Sequence, residues 1–247
     1  MKKILDWQTM LGIILVILSA VVYYVHYLIF RDPHHIFIYL VGDIGFVFLE
    51  VLLVSLILHK LLVYREKQSV LKKLNMVIGT FFTEVGTELL KKCSLLDPNT
   101  SKVTEQLTVK ADWSNKEFAS VKKSINGYDF DIKCDKTGFK EIKEFLIRER
   151  SFLLDLMGNP NLLEHESFTD LLWAVFHLTD ELAHRADISS LPDSDCQHIA
   201  GDIKRAYNLL VSEWLNYMEH LKYDYPYLFS MAIRTNPFNA AASIHVK

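Results

Sequence analysis

Residues 10–30 contain no Asp, Glu, Lys or Arg. As a helix, such a run reaches about 31 Å at ~1.5 Å per residue, which matches a hydrocarbon core of about 30 Å. A second apolar run, 36–58, follows after only Arg31-Asp32-Pro33-His34-His35, and Asp43 and Glu50 interrupt it. The pair predicts a helical hairpin that crosses a membrane twice. A secretory signal is the competing reading of Met1-Lys2-Lys3 and the first run. Signal apolar regions are about 7–15 residues long and close on small residues, whereas this one continues into Tyr23, Tyr24, Tyr27 and Phe30. An anchor is expected instead. Lys2 and Lys3 precede the first run, and Lys60, Arg65, Lys67, Lys72 and Lys73 follow the second; the connection has one Arg beside one Asp. The positive-inside bias then predicts a multi-pass protein of the inner or plasma membrane with both termini cytoplasmic, and membrane lipid as a partner.

With 247 residues, the chain has room for this anchor and one soluble domain of ordinary size. Residues 1–63 hold four basic side chains (Lys2, Lys3, Arg31, Lys60) and four acidic ones (Asp6, Asp32, Asp43, Glu50), so the rest is left nearly neutral. That balance lacks the basic footprint of a nucleic-acid binder. Cys93, Cys134 and Cys196 are odd in number and far apart, which reads as buried or incidental thiols in a reducing compartment. Asn99-Thr100-Ser101 matches a glycosylation acceptor, but a cytoplasmic position would leave it unused.

After the spans, no turn signal intervenes before Asp97-Pro98-Asn99. Leu71, Leu74, Ile78, Phe81, Val85 and Leu89 lie three or four apart and form one helical stripe. The second span is therefore expected to continue as one long helix of up to about 60 residues, with 64–96 as its cytoplasmic extension. Gly79 and Gly86 each weaken it by roughly 1 kcal/mol relative to Ala, which points to close approach of a neighbouring helix or to a hinge. Residues 97–136 read as mixed or irregular. Asp112-Trp113-Ser114-Asn115-Lys116-Glu117 looks like a capped helix start, and Asn126-Gly127 before the alternating 128–132 suggests a small hairpin or extended piece. A helical domain is expected over 137–235, with helices near 137–157, 167–185 and 195–223 and a short apolar piece at 227–233, then a tail at 236–247. The fold class is mainly α: a transmembrane hairpin, a long helix and a helical cytoplasmic domain with a minor β element.

A carboxylate at mid-bilayer depth costs a few kcal/mol, roughly 2.5–3.5 on insertion scales, and is a functional hypothesis by default. Asp43 and Glu50 are seven apart, so they differ in direction by only about 20°. The series continues as Ile57, Tyr64, Leu71, Ile78 and Val85, which suggests self-association along this helix as a coiled coil. In a symmetric homo-oligomer the two residues would stack as acidic rings, a device for passing cations or protons. Local satisfaction is the competing account: His26 lies at a depth where it could pair with Asp43, and Ser19 lies near Glu50. His34 and His35 read as loop histidines, with Asp32 the one further ligand nearby.

His177, Glu181 and His184 share one helical face, and their donors suit zinc or iron. They depart from H-E-x-x-H, and the later helix lacks a second Glu-x-x-His, so a metal-dependent enzyme is the third reading. His198 and Asp202 have the spacing of a surface pair. Phosphate-loop, dinucleotide and serine-hydrolase motifs do not occur. No cofactor is indicated beyond that candidate divalent metal. Trp173, Trp214, Tyr217, Tyr223, Tyr225 and Tyr227 are expected in the core rather than around a ligand. Through Leu171-Leu172-Trp173-Ala174-Val175-Phe176-His177, Tyr225-Pro226-Tyr227-Leu228-Phe229 and Arg234-Thr235-Asn236-Pro237-Phe238, the chain resembles an uncharacterised family of prokaryotic two-span membrane proteins with a helical cytoplasmic domain. The resemblance covers most of the chain and implies no catalytic residues. The expected function is a non-enzymatic cation or proton pathway lined by Asp43 and Glu50; the alternative is a membrane-anchored scaffold that binds a cytoplasmic protein.

Overall fold

The computed structural model describes residues 7–239 and 241–245, apart from the side chains of Gln8, Lys67, Gln68, Leu71, Lys72 and Leu163. Lys2 and Lys3, and the side chains of Lys67, Leu71 and Lys72, for which the sequence raised expectations, therefore lie outside the described residues. Helix is the one regular structure among the described residues. The chain divides after Glu66 into two units.

The first unit holds α1 (Trp7–Phe30) and the first part of α2 (Pro33–Phe81). Both helices are long and apolar enough to cross a membrane, over Thr9–Phe30 and Pro33–Glu66. The turn between them has a clear local cause. Arg31 takes a left-handed backbone with φ of 50° and its N–H donates to the Tyr27 carbonyl at 2.8 Å, which ends α1. Asp32 Oδ1 then accepts the N–H groups of His34 and His35 at 3.0 and 3.2 Å, and Pro33 opens α2 where a missing N–H costs nothing. Asp32 thus serves as a helix cap. His26, Ile36 and Leu40 are half-buried beside this turn, and the other described side chains of 7–66 are exposed.

The second unit builds its own core. The stripe read from the sequence is buried at Leu74, Ile78, Phe81, Val85 and Leu89. The chain's own helices cover these positions, so a supercoil with a second copy has no free seam at Ile78 and Val85. Helix α2 does not run on unbroken: a π-type turn at Phe82–Gly86 joins it to α3 (Thr87–Leu96). The extra residue in that turn lets two adjacent rings, Phe81 and Phe82, both face inward with no exposure. Phe81 meets Phe168 edge-to-face at 5.4 Å, and Phe82 stacks on Tyr217 at 5.0 Å. Gly86 is required here, because a Cβ would lie 2.5 Å from Phe82 Cδ1 and 2.9 Å from Phe81 Cε1. Gly79 is the place where a neighbouring helix approaches, with Tyr217 at ordinary contact distance.

Residues 97–136 are more ordered than their composition suggests. They contain α4 (Thr100–Leu107) and α5 (Asn115–Asn126). Ser114 and Glu117 form the reciprocal capping box that opens α5. Asn126-Gly127 closes α5 instead of turning a hairpin, and no strand occurs among the described residues, so the expected β element is absent. Glycine ends helices as readily as it turns hairpins, and sequence cannot separate the two uses. The extended 128–132 segment buries Phe130 and Ile132 as core side chains. The expected helix at 137–157 is two, α6 (Lys136–Arg148) and α7 (Arg150–Met157).

Helix α8 (Glu166–His184) packs chiefly against α9 (Asp193–Asp224), which also carries α3, α5 and α10 (Pro226–Arg234) on its flanks. Along α9, Ile199, Ile203, Ala206, Tyr207, Leu210 and Trp214 are buried at helical spacing. Two expectations fail here. Cys134 and Cys196 are paired as a disulfide with a Cα–Cα distance of 5.7 Å, tying the segment before α6 to the first turns of α9, and only Cys93 stays a buried free thiol. Burial pushes that thiol up to about 12, which makes it inert at neutral pH. Trp173, Tyr223 and Tyr227 are exposed rather than in the core. Past α10, Asn236 is buried, its Nδ2 donating to the Leu107 carbonyl at 2.9 Å, and Phe238 packs on Trp214 at 5.3 Å; the expected tail is thus docked at its start.

Candidate functional site

Two groups of polar side chains are candidates for a functional site, one in each unit. In the first, Asp43 and Glu50 sit on α2 with exposed side chains, and neither has an ion-pair or hydrogen-bond partner among the described residues. The local pairs expected from depth are not formed. His26 instead packs its ring on Phe30 at 4.7 Å and faces His35 at 6.0 Å, and its Nε2 has no hydrogen-bond partner. Ser19 makes no hydrogen bond to Glu50, because α1 and α2 lie side by side over almost none of their length. Any group that satisfies these carboxylates in hydrocarbon must come from outside the helix pair or from protonation.

In the second unit, α8 and α9 each present two donors four residues apart. Helix α8 contributes His177 and Glu181; α9 contributes His198 and Asp202. An interval of four returns to nearly the same helical face, so where the helices meet, the two pairs oppose each other. Asp202 is the floor of the group, with its side chain 4% exposed. Its Oδ2 lies 3.4 Å from His198 Nε2 and 3.5 Å from His177 Nε2, yet has no hydrogen-bond partner. Glu181 Oε2 lies 3.7 Å from His198 Nε2. Glu181, His198 and Asp202 bring one donor atom each within 4.8 Å of one another. Asp202 Oδ1 faces Arg205 Nη1 at 3.4 Å.

Arg185 braces this group from the side. Its Nη1 donates to Glu181 Oε2 at 2.6 Å, while Nε and Nη2 donate to Asp195 at 2.8 and 2.6 Å. Hydrogen bonding from Arg185 holds both the Glu181 and Asp195 carboxyls below the usual carboxylate range. His184, which the sequence grouped with His177 and Glu181, lies outside the group and places Nδ1 2.7 Å from the Asp180 carbonyl. The correction is geometric: residues 177, 181 and 184 share a face, but only 177 and 181 lie where α9 approaches. Spacing alone does not single out His198 and Asp202, because i, i+4 is also the spacing of any surface pair. The repeated signal, His-x-x-x-Glu on one helix and His-x-x-x-Asp on the next, was present in the sequence.

The architecture is that of a helical protein with two N-terminal apolar helices followed by a larger all-helical domain. Residues 2–62 match the family described as "MJ1433, N-terminal helical domain", and residues 70–234 match "Uncharacterized protein MJ1433, C-terminal helical domain". The chain belongs to this MJ1433 family. It is 48% identical over 233 residues, 94% of each chain, to the "Uncharacterized protein MJ1433" of Methanocaldococcus jannaschii. No solved structure matches the chain.

Proposed function

We propose that the chain is a two-span protein of the inner or plasma membrane, termini cytoplasmic, that self-associates through α2 and passes a cation or proton along Asp43 and Glu50. The observation that carries this reading is that neither carboxylate has a partner among the described residues. A lone carboxylate in hydrocarbon costs roughly 2.5–3.5 kcal/mol on insertion scales. Neighbouring copies relieve that cost by surrounding the two side chains with water and with each other's polar groups. Repeated around an axis, Asp43 and Glu50 become two stacked acidic rings that attract cations. Lys60, Arg65 and Lys73, which follow the apolar run 36–58, support a cytoplasmic placement of the second unit.

Reconstitution in liposomes tests this directly. The wild-type protein is expected to raise cation or proton flux above that of empty vesicles, and Asp43→Asn with Glu50→Gln is expected to abolish the increase. Flux equal to that of empty vesicles in the wild type, or undiminished in the double variant, sinks the pathway.

A membrane-anchored interaction module is the second reading. It is favoured by a groove of about 430 Å³ in the second unit, lined by Met76, Gly79, Tyr217, Leu221 and Leu228 among others. A specific protein recovered with the wild type from native membranes, and lost on Leu228→Glu, would support it.

A further inference from the structure

We propose that Glu181, His198 and Asp202 form a divalent transition-metal site, of the zinc class, that clamps α8 to α9, with His177 beside Asp202 as its neighbour. Nothing in the pathway reading depends on it, so the two stand or fall separately.

A carboxylate only 4% exposed, as Asp202 is, should have its oxygens hydrogen-bonded, because an unpaired buried charge is costly. Oδ2 has no hydrogen-bond partner, although two imidazole Nε2 atoms approach it at 3.4 and 3.5 Å. The donor atoms of Glu181, His198 and Asp202 all lie within 4.8 Å of one another, as donors to a common cation would, whereas His177 reaches Asp202 but lies outside that group. The spacing fits as well. Ligands about 2.0–2.1 Å from a tetrahedral zinc are separated from one another by about 3.3 Å. The separations of 3.4 and 3.7 Å from His198 Nε2 to Asp202 Oδ2 and Glu181 Oε2 lie close to that value. Nitrogen and carboxylate oxygen donors in this mixture suit zinc better than calcium or magnesium, which take oxygen-rich shells.

The surroundings are built for the same purpose. Asp202 is buried at the floor, while His177 and His198 have side chains 46% and 54% exposed, which leaves a path for the ion to enter. Arg185 fixes Glu181 through Nη1 and is itself fixed by Asp195, so the carboxylate is oriented before any ion arrives. Arg185 shares Glu181 Oε2, the oxygen that faces His198. The rival account is an ion-pair cluster of two protonated imidazoles with two carboxylates, which needs no metal.

The test uses the full chain purified in detergent, stripped by a chelator, and titrated with Zn²⁺ alone by calorimetry. The expected result is one Zn²⁺ per chain, with Co²⁺ giving the intense visible bands of tetrahedral coordination. Asp202→Asn and His198→Ala should each weaken binding by about 100-fold or more, whereas His184→Ala should leave it unchanged. A measurement free of mutation guards against variants that misfold: Zn²⁺ should protect His198 of the wild type from diethyl pyrocarbonate while His184 reacts as before. No stoichiometric Zn²⁺ in the wild type, binding undiminished in both ligand variants, or no protection at His198 would each overturn the site in favour of the ion-pair cluster.

Discussion

In 7–66 the helices enclose none of their apolar side chains, whereas in the second unit Phe81, Phe82, Phe168 and Tyr207 are wholly buried. Both regions are helical and both are rich in Leu, Ile, Val and Phe. The difference lies in what supplies the apolar surroundings. Helices α1 and α2 satisfy their backbones internally and leave their side chains to whatever lies outside. In the second unit, each helix offers one stripe and depends on its neighbours to cover it. Identical substitutions should therefore behave differently in the two regions.

The largest effect tests that contrast at its centre. Phe168→Ala removes a buried ring that meets Phe81, and should destabilise the second unit by about 3–5 kcal/mol. Leu53→Ala, on an exposed stretch of α2, should change denaturant unfolding of the detergent-solubilised protein by less than about 0.5 kcal/mol. If Leu53→Ala proves as damaging as Phe168→Ala, the first unit has a packed core after all and the contrast breaks.

A smaller effect distinguishes two glycines on one helical path. Gly86→Ala forces a Cβ into Phe81 and Phe82, two rings with no exposure; overpacking should cost about 1–3 kcal/mol despite the helix propensity gained. At Gly79 the nearest atom to a new Cβ is Tyr217 Cε2 at 3.6 Å, so Gly79→Ala should be neutral or stabilising by up to about 1 kcal/mol. Thermal unfolding of the two variants side by side measures the difference. The smallest expected change is at the edge of the core, where Ser114→Ala removes the α5 cap and should cost about 1 kcal/mol. A loss confined to local hydrogen-exchange protection of 115–126 would show that α5 opens separately from the rest.

The sequence made much of the helical layout legible. Residues 10–30 and 36–58 announced α1 and the apolar part of α2, the Leu74-Ile78-Phe81 stripe announced a buried face, and Ser114 with Glu117 announced a helix start. Each of these signals is local, within a turn or two of helix, so periodicity and capping report it. The failures involve choices that local sequence leaves open. Asn126-Gly127 fits a hairpin and a helix end equally, and Cys134 and Cys196 are 62 residues apart with nothing between them to mark a pair.

The candidate sites divide in the same way. By itself the sequence determined that Asp43 and Glu50 share a direction on an apolar helix, because seven residues always return to nearly the same side. It also determined that His177 and Glu181 share a face. Only the tertiary structure decided that His198 and Asp202 meet Glu181 and that His184 does not, because the choice depends on where α9 crosses α8. It decided too that Asp202 is buried, through packing of side chains distant in sequence. Spacing along a helix fixes direction; the crossing of two helices fixes which directions meet.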